Sequence, residues 1–581
     1  MRKINDLLEY VKKQKFYDGQ IAHIEETPPK SAEYGALDIP LHNNLMQWML
    51  KEGIRPWIHQ AEAINNILKG HNVIITTSTS SGKSLCYNLP VLSAILEDQN
   101  ATALYLFPRK ALTQDQRTEL IKITGQVGLP PSAVGIYDGD TARNEKIRIR
   151  AEANIIMTNP YALHQYLAYF EEKWYRFCWN LKYVIIDEAH LYKGIFGSNV
   201  ALLLRRLKRI LEDFSCNPRW ILCSATINDP AGFAETLVGE PFHLVDNDGA
   251  PSGAKKIVLW DLPYDDLDNK YRSGNSESRD LYRCHLENGI QTILFTKSRK
   301  MAELQCIWAH EELIHLRERI QPYRAGLSKR DRREIERGLK NKEILGVSTT
   351  NALELGIDIG SLEATITSGF PGSISSFRQQ IGRSGRGEAI SISTFVPQGN
   401  PLDFFYVHHP DVLFGPIQEK LLITFKNKEI LKNQIRCAAY EKPLQIQEYE
   451  NFGIKDENYF ERILDELSNK TPQEKNTIGA YSYLRKEGEC YYSNEENPAH
   501  DINIDDLSEF RYDIHLVDEE GKESPLTIDD EEHVYRDIHP GAIFLYKAKQ
   551  YFVRNVEFDK RKVLLTPTWV PYFTCSRYIT E

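Results

Sequence analysis

Gly82, Lys83 and Ser84 close the stretch VIITTSTSSGKS at residues 73–84, and its residue types suit one chemistry, the binding of phosphate groups. Val73 to Ile75 form a short β-branched apolar run, as a buried strand would. Hydroxyl and small residues follow, then Gly-Lys-Ser, then LCYNLPVLSAIL, whose apolar positions suit a helix. Strand, small-residue loop, Gly-Lys-Ser and helix form the context of a phosphate-binding loop. Backbone N–H groups of such a loop point at phosphate oxygens, and the helix adds its positive end. Lys83 would reach the β- and γ-phosphates of a nucleotide, and the Ser84 hydroxyl would ligate Mg²⁺. Thr77 stands where the usual pattern has its first Gly, so the strict motif fails. A plain polar loop before a helix is the competing reading.

A second cluster, Asp187-Glu188-Ala189-His190, ends the apolar run LKYVII. Asp187 at a strand end is placed to hold Mg²⁺, usually through water. Glu188 is placed to accept the proton of an attacking water. Acidic residues are also favoured at helix starts, so this cluster alone divides evenly between chemistry and capping. With Gly-Lys-Ser upstream in an alternating strand and helix pattern, chemistry prevails.

The elements that must position these groups follow from that alternation. Residues 1–50 read as an N-terminal helical extension with a Pro-containing connector at 27–30, and 51–250 as a first α/β lobe. Its strand runs are VIITT, ALYLFP, NIIMTNP, YVIIDEA and WILCSAT, as in a parallel doubly wound sheet, whose sites lie at strand C-termini. Residues 246–256, DNDGAPSGAKK, read as a linker. Residues 251–415 repeat the alternation with KIVLW, TILFT, ILGVSTT, EATITSGF and ISISTFVP. Residues 416–505 lean to helix, and 506–581 carry β-type runs.

Composition sets bounds. A chain of 581 residues exceeds one core, and 41% hydrophobic with 26% charged content is ordinary for a soluble globular protein. No apolar run approaches the ~18 residues of a membrane span, and the N-terminus lacks a signal-peptide pattern, so a cytoplasmic protein is expected. Nine scattered cysteines include no CxxC pair, so buried free thiols are expected and zinc is not. A net charge of −10 argues against a wholly basic surface but leaves room for a local basic groove. Arg205, Arg206, Lys208 and Arg209 suggest a solvated helix face ahead of a DNA-facing patch.

Taken in order, TSTSSGKS, DEAH and Ser224-Ala225-Thr226 resemble motifs I, II and III of superfamily 2 helicases. Residues 349–360, TTNALELGIDIG, resemble motif V, and QQIGRSGR at 379–386 matches QxxGRxGR, motif VI. Two arginines three apart on one helix face, Arg383 and Arg386, could both meet the γ-phosphate as arginine fingers. By the same comparison Gln60 would bind adenine. Thr77, Thr79, Ser80, Ser81 and Gly82 would form the ATP loop with Lys83 and Ser84, and Gly356 and Asp358 would lie against the nucleotide. His190 would link to Gln379 across the cleft, and Arg109, Lys110, Thr158, Asn159, Arg299, Thr349 and Thr350 would contact the nucleic-acid strand.

The wider match is closer. YNLPVL, LYLFPRKALTQDQ, YDGDT, GIFGSNVALLLRRLKRI, DNDGAPSG, RREIERGL and NALELGIDIG resemble the MrfA/YprA helicases, bacterial DNA-repair helicases related to a fungal RecQ-like group. The resemblance implies two tandem RecA-like lobes, a winged-helix-like region entered at NQIRCAAYEKPL and a small β-rich region. It also implies ATP and Mg²⁺, movement 3′→5′ on single-stranded DNA, unwinding of forked DNA, and a repair role for a monomer with other repair or defence proteins as partners. Arg109 and Arg378 depart from the common pattern. So does the end of the sequence, where relatives continue into a four-cysteine zinc domain, which fits either a truncated chain or a short member. A duplex translocase or remodeller, an RNA helicase and a nucleotide-gated scaffold are the alternative functions.

Overall fold

Each apolar run read as a strand becomes one, and alternate residues feed two opposite cores. The computed structural model describes residues 2–574 apart from 79–80, 266–268, 325, 355–359, 361, 386–389, 470, 473–479, 505–510 and 519–520. The chain forms two compact units, Ala32–Ala250 with Gln418–Leu507, and Met1–Ser31 with Pro251–Ile417 and Ser508–Glu581.

In the first unit seven parallel strands lie in the order Val134–Ile136, Ile155–Thr158, Thr102–Leu106, Leu181–Ile186, Arg219–Cys223, Val73–Ile75, His243–Val245. Ile74, Leu104, Ile156, Val184, Ile186 and Leu222 face one core, and Val73, Ile75, Tyr105, Met157, Ile185 and Ile221 the other. Burial on both faces is why these runs are continuously apolar. Two strands, Val134–Ile136 and His243–Val245, were not among the runs read from sequence. Three residues hold less than two periods of alternation, so pairing decides them.

The second unit has a seven-stranded sheet ordered Ile21–Thr27, Lys255–Trp260, Ser391–Val396, Ala364–Ser368, Thr292–Phe295, Gly346–Thr349, Ile320–Tyr323. All neighbours are parallel except the first pair. Pro322 sits on the last strand, at the edge, where a missing N–H costs no ladder bond. Residues 1–50 are therefore more than a helical extension: helix Arg2–Lys12 and strand Ile21–Thr27 join this sheet, while helix Asn43–Lys51 lies in the first unit. The short helix buries Ile4, Leu7 and Val11 in one cluster with Val258, Trp260 and Leu281, the apolar face a short helix needs to persist.

The described residues of 423–504 include helices Lys428–Glu441 and Glu457–Ser468 and a small antiparallel sheet, Leu444–Gln445, Cys490–Ser493, Leu484–Glu487. They pack on the long helix Gly194–Asp213, and here the basic run finds its place. Arg205, Arg206 and Arg209 are buried, so the run is neither a solvated face nor a DNA-facing patch. Arg206 pairs with Glu441 and donates to Gln434 Oε1 at 2.6 Å. Arg209 pairs with Glu448 and donates to the carbonyls of Ala438 and Lys442, both at 2.9 Å. The charge pattern could not reveal this, because the acidic partners lie in a later segment. Arg206→Ala is expected to lower stability by about 3–5 kcal/mol, since Glu441 is left charged and buried. Chemical denaturation of the two proteins checks it.

His164, 3.1 Å from the Arg206 guanidinium, is held neutral. Burial first, and then Arg206, push its pKa down to about 3. The unfolded chain binds a proton below about pH 6.5 and the folded chain does not, so stability falls as pH drops through that window. The expected loss from this group is about 2 kcal/mol at pH 5, absent in His164→Gln.

In the second unit the C-terminal region forms five strands, ordered Glu523–Asp530, Arg511–Val517, Lys562–Thr568, Lys549–Glu557, Ile543–Tyr546. Ile514, Val553, Val563 and Leu565 share one core with Ile293, Tyr323 and Val347 of the lobe. The contact is pinned by Glu303, which accepts from Arg324 Nε at 2.9 Å and from the N–H groups of Lys547 and Ala548 at 3.0 and 2.6 Å.

Candidate active site

The phosphate loop follows the strand Val73–Ile75 and leads into helix Lys83–Glu97. Gly82 caps that helix at φ +65°, and a Cβ there would lie 2.6 Å from Gln60 Nε2. The left-handed φ favours glycine, whereas the Gln60 amide, at the end of a flexible side chain, could give way. Gly82→Ala is expected to raise the KM for ATP about 5- to 150-fold, as its strain of ~1–3 kcal/mol falls on the loop itself; steady-state ATPase measures it.

Lys83 Nζ donates to the carbonyls of Thr77 and Ser78, each at 2.8 Å. The Thr77 hydroxyl is 2.6 Å from that of Ser81. The residue that replaces the expected glycine therefore ties the two ends of the loop. Gln60 lies beside the loop: its Oε1 accepts from Trp57 N–H at 2.9 Å and its Nε2 donates to the Gly82 carbonyl at 3.1 Å. Thr79 and Ser80 lie outside the described residues.

The Asp187 carboxylate is buried under helix Lys83–Glu97, where Tyr87 donates to it at 3.2 Å. Burial, then the neighbouring Glu188 charge, push its pKa up to about 7, against the pull of the Glu188 N–H, Lys83 and Tyr87. Ser84 precedes Tyr87 by three residues on the same helix face. A buried carboxylate and a serine hydroxyl are oxygen donors of the kind that suit Mg²⁺. Among the described residues no group of three or more His, Cys, Asp or Glu is placed to hold a metal ion, and none of the eight described cysteines is paired.

Glu188 adopts φ +50°, a conformation that costs a non-glycine residue about 1–3 kcal/mol and clusters at functional sites. His190 Nδ1 accepts from the Ala225 N–H at 3.2 Å, so the DEAH segment is tied to Ser224-Ala225-Thr226. These groups leave neighbouring strand ends, the position where α/β sheets place ligands.

Two residues given no role in the sequence reading complete the loop's surroundings. Asp248 Oδ2 accepts from the Ser78 N–H at 3.0 Å and Oδ1 from Ala250 at 3.0 Å. Burial raises the Asp248 pKa, but these hydrogen bonds and His59 outweigh it, and the carboxyl is held below its ordinary value. His59, fully buried, lies 2.8 Å from the Ser81 carbonyl through Nε2 and accepts from Gly249 N–H through Nδ1 at 3.2 Å.

Of the strand-contact candidates in this unit, Arg109 and Lys110 are exposed at a helix start, Lys110 Nζ lying 3.2 Å from Asp140. Thr158 and Asn159 are buried: the Thr158 hydroxyl donates to the Tyr137 carbonyl at 2.6 Å and Asn159 caps helix Pro160–Tyr166.

In the second unit Arg383 is buried and donates to the Glu354 carbonyl from Nε at 3.1 Å and Nη2 at 2.6 Å. Arg383 itself lies beyond the helix that precedes it. The helix Ile374–Ile381 ends at Gly382, and Ser384 already bridges to Leu362, so the Gly-rich sequence breaks the helix first. Arg386, Gly356 and Asp358 lie outside the described residues. Gln379 is buried on the last turn of that helix. Thr349 is buried at a strand end with its hydroxyl unpartnered among the described residues, and Thr350 follows it. Arg299 pairs with buried Asp529 of the C-terminal sheet.

A phosphate loop after the parallel strand Val73–Ile75, a DEAH segment two strands away across Arg219–Cys223 and a second α/β lobe bearing QQIGRSGR define the ATPase class of superfamily 2 helicases. The sequence matches the DEAD/DEAH box helicase family over residues 57–232, the helicase conserved C-terminal domain over 276–388 and the winged helix domain of ATP-dependent helicase HRQ1 over 423–506. The chain is 36% identical to the ATP-dependent helicase YprA of Bacillus subtilis over 95% of its own length and 72% of YprA. It is 36% identical to ATP-dependent helicase hrq1 of Schizosaccharomyces pombe over its full length, spanning 54% of that protein. A crystal structure of the DUF1998 helicase MrfA bound to DNA and AMPPNP superposes with TM-score 0.90 at 35% identity, over 99% of this chain and 78% of MrfA. The chain belongs to the MrfA/YprA family of ATP-dependent helicases. No described helix is long and apolar enough to cross a membrane.

Proposed function

We propose that this chain is an ATP-driven DNA helicase that moves 3′→5′ on single-stranded DNA, unwinds forked duplexes and serves DNA repair. The observation that carries this reading is the superposition on MrfA with DNA and AMPPNP over 99% of the chain, with the ATP residues present in order. Lys83 and the loop amides bind the phosphates, Ser84 and Asp187 hold Mg²⁺, and Glu188 takes a proton from the attacking water. Arg383 and Arg386 meet the charge developing on the γ-phosphate. Exposed Arg109 and Lys110 meet strand phosphates, contacts that give position without reading sequence.

The test is ATPase with single-stranded DNA, duplex DNA and RNA side by side, together with strand displacement on 3′- and 5′-tailed forks. The expected result is stimulation by single-stranded DNA and displacement from the 3′ tail only. DNA-stimulated hydrolysis without displaced strands would make the protein a duplex translocase, and stimulation by RNA alone an RNA helicase. Lowering of the affinity with rising salt would count the phosphate contacts.

A further inference from the structure

We propose that Asp248 and His59 are positioning residues for ATP, holding the phosphate loop, and through it Lys83, to the segment by which the chain leaves this unit. The inference rests on the reading of residues 77–84 as the ATP phosphate loop. It begins from the sheet. Strand His243–Val245 pairs in parallel with Val73–Ile75, so residues after Val245 emerge beside residues after Ile75. There Asp248 spans two amides, Ser78 at 3.0 Å and Ala250 at 3.0 Å.

His59 works from the other side. Its Nδ1 accepts from Gly249 N–H, so the ring proton sits on Nε2, which donates to the Ser81 carbonyl at 2.8 Å. The intervening residue has to be glycine. A Cβ on Gly249 would lie 2.6 Å from Ile58 Cγ2, 2.7 Å from the Glu33 carbonyl and 3.0 Å from the Ile58 nitrogen. Glu33 N–H donates to the Gly249 carbonyl at 2.9 Å, and Ile58 N–H to the Glu33 carbonyl at 2.8 Å. Asp248-Gly249 is thus fixed to the loop and to the start of helix Ile58–Leu68 by hydrogen bonds from both flanks.

The consequence reaches the reacting end of the nucleotide. Ser78 is held at its amide by Asp248, and the Ser78 carbonyl, with that of Thr77, holds Lys83 Nζ at 2.8 Å. Releasing Asp248 frees the peptide that aims Lys83. Asp248 and His59 meet the loop at the Ser78 N–H and the Ser81 carbonyl, so both act through the loop. Pro251, the next residue but two after Asp248, already belongs to the other unit.

The test is steady-state ATPase of the full chain with saturating single-stranded DNA. Asp248→Ala is expected to raise the KM for ATP about tenfold while kcat stays within about threefold. Asp248→Asn keeps one acceptor for two N–H donors, so it should lie between, near a threefold rise. Combined with His59→Gln, Asp248→Ala should raise KM by less than the product of the single effects, because both act on one loop. A brace with no part in ATP binding would lower the melting temperature and leave KM unmoved, and that result overturns the proposal; so does a fall in kcat at constant KM. If Asp248→Ala does not fold, Asp248→Asn carries the same comparison. Parent ATPase that survives Lys83→Ala defeats the phosphate-loop reading itself, whereas Lys83-dependent ATPase with unmoved Asp248 variants defeats only this inference.

Discussion

Glu188→Gln is expected to bind ATP about as tightly as the parent and to hydrolyse it roughly 10²–10⁴-fold more slowly. The amide keeps the shape of the carboxylate but cannot accept the proton of the attacking water. The surroundings favour a clean loss. Glu188 is held at φ +50° with its carboxylate 3.6 Å from His190 Nδ1, and that nitrogen is already engaged by the Ala225 N–H. The imidazole face nearest Glu188 is therefore an acceptor committed elsewhere, and is a poor substitute base. Asp187 is buried and accepts from Tyr87 and the Glu188 N–H, so it is occupied as well. Single-turnover hydrolysis with a parallel nucleotide titration separates the steps. A Gln variant that turns over within twofold of the parent would remove Glu188 from the role of base. Lys83→Ala should instead lose affinity together with rate, because Lys83 meets the phosphates in both ground and transition states.

Arg383→Ala is expected to lower kcat by about 10³–10⁵-fold with a much smaller change in KM, as for a finger that meets charge only in the transition state. Arg383→Lys should not restore the rate, since a point charge cannot reproduce the planar donor fork. In the present arrangement Arg383 Nε and Nη2 both donate to the Glu354 carbonyl, so the finger has to exchange that partner for phosphate oxygens. The buried guanidinium also makes stability a necessary second measurement. A kcat loss below tenfold, with a drop in the denaturation midpoint, would mark Arg383 as a brace for residues around Glu354.

The ATP chemistry was legible in the sequence because it is written in contiguous residues. Lys83 and Ser84 sit between a strand and a helix that their own neighbours specify, and Asp187 and Glu188 end an apolar run. Local order then suffices to place each at a strand end. Thr77 in place of glycine looked like a defect, but its hydroxyl meets Ser81, an interaction of residues four apart that spacing alone does not announce. The basic run at 205–209 failed for a different reason. Amphipathic charge on a helix implies solvent unless partners are known, and its partners, Glu441 and Glu448, lie more than 230 positions away.

Gly82-Lys83-Ser84 suggested a phosphate loop, and only with DEAH and QQIGRSGR did the sequence settle on the class. What holds that loop was settled only in three dimensions. The strand His243–Val245 is too short to show a period, yet its pairing beside Val73–Ile75 delivers Asp248 to Ser78. A stretch that reads as linker, rich in Gly, Asp and Pro, is thereby hydrogen-bonded to residues 77–84. Sequence encodes contacts between neighbours through periodicity, whereas contacts between segments some 170 positions apart depend on sheet order, which no local pattern contains.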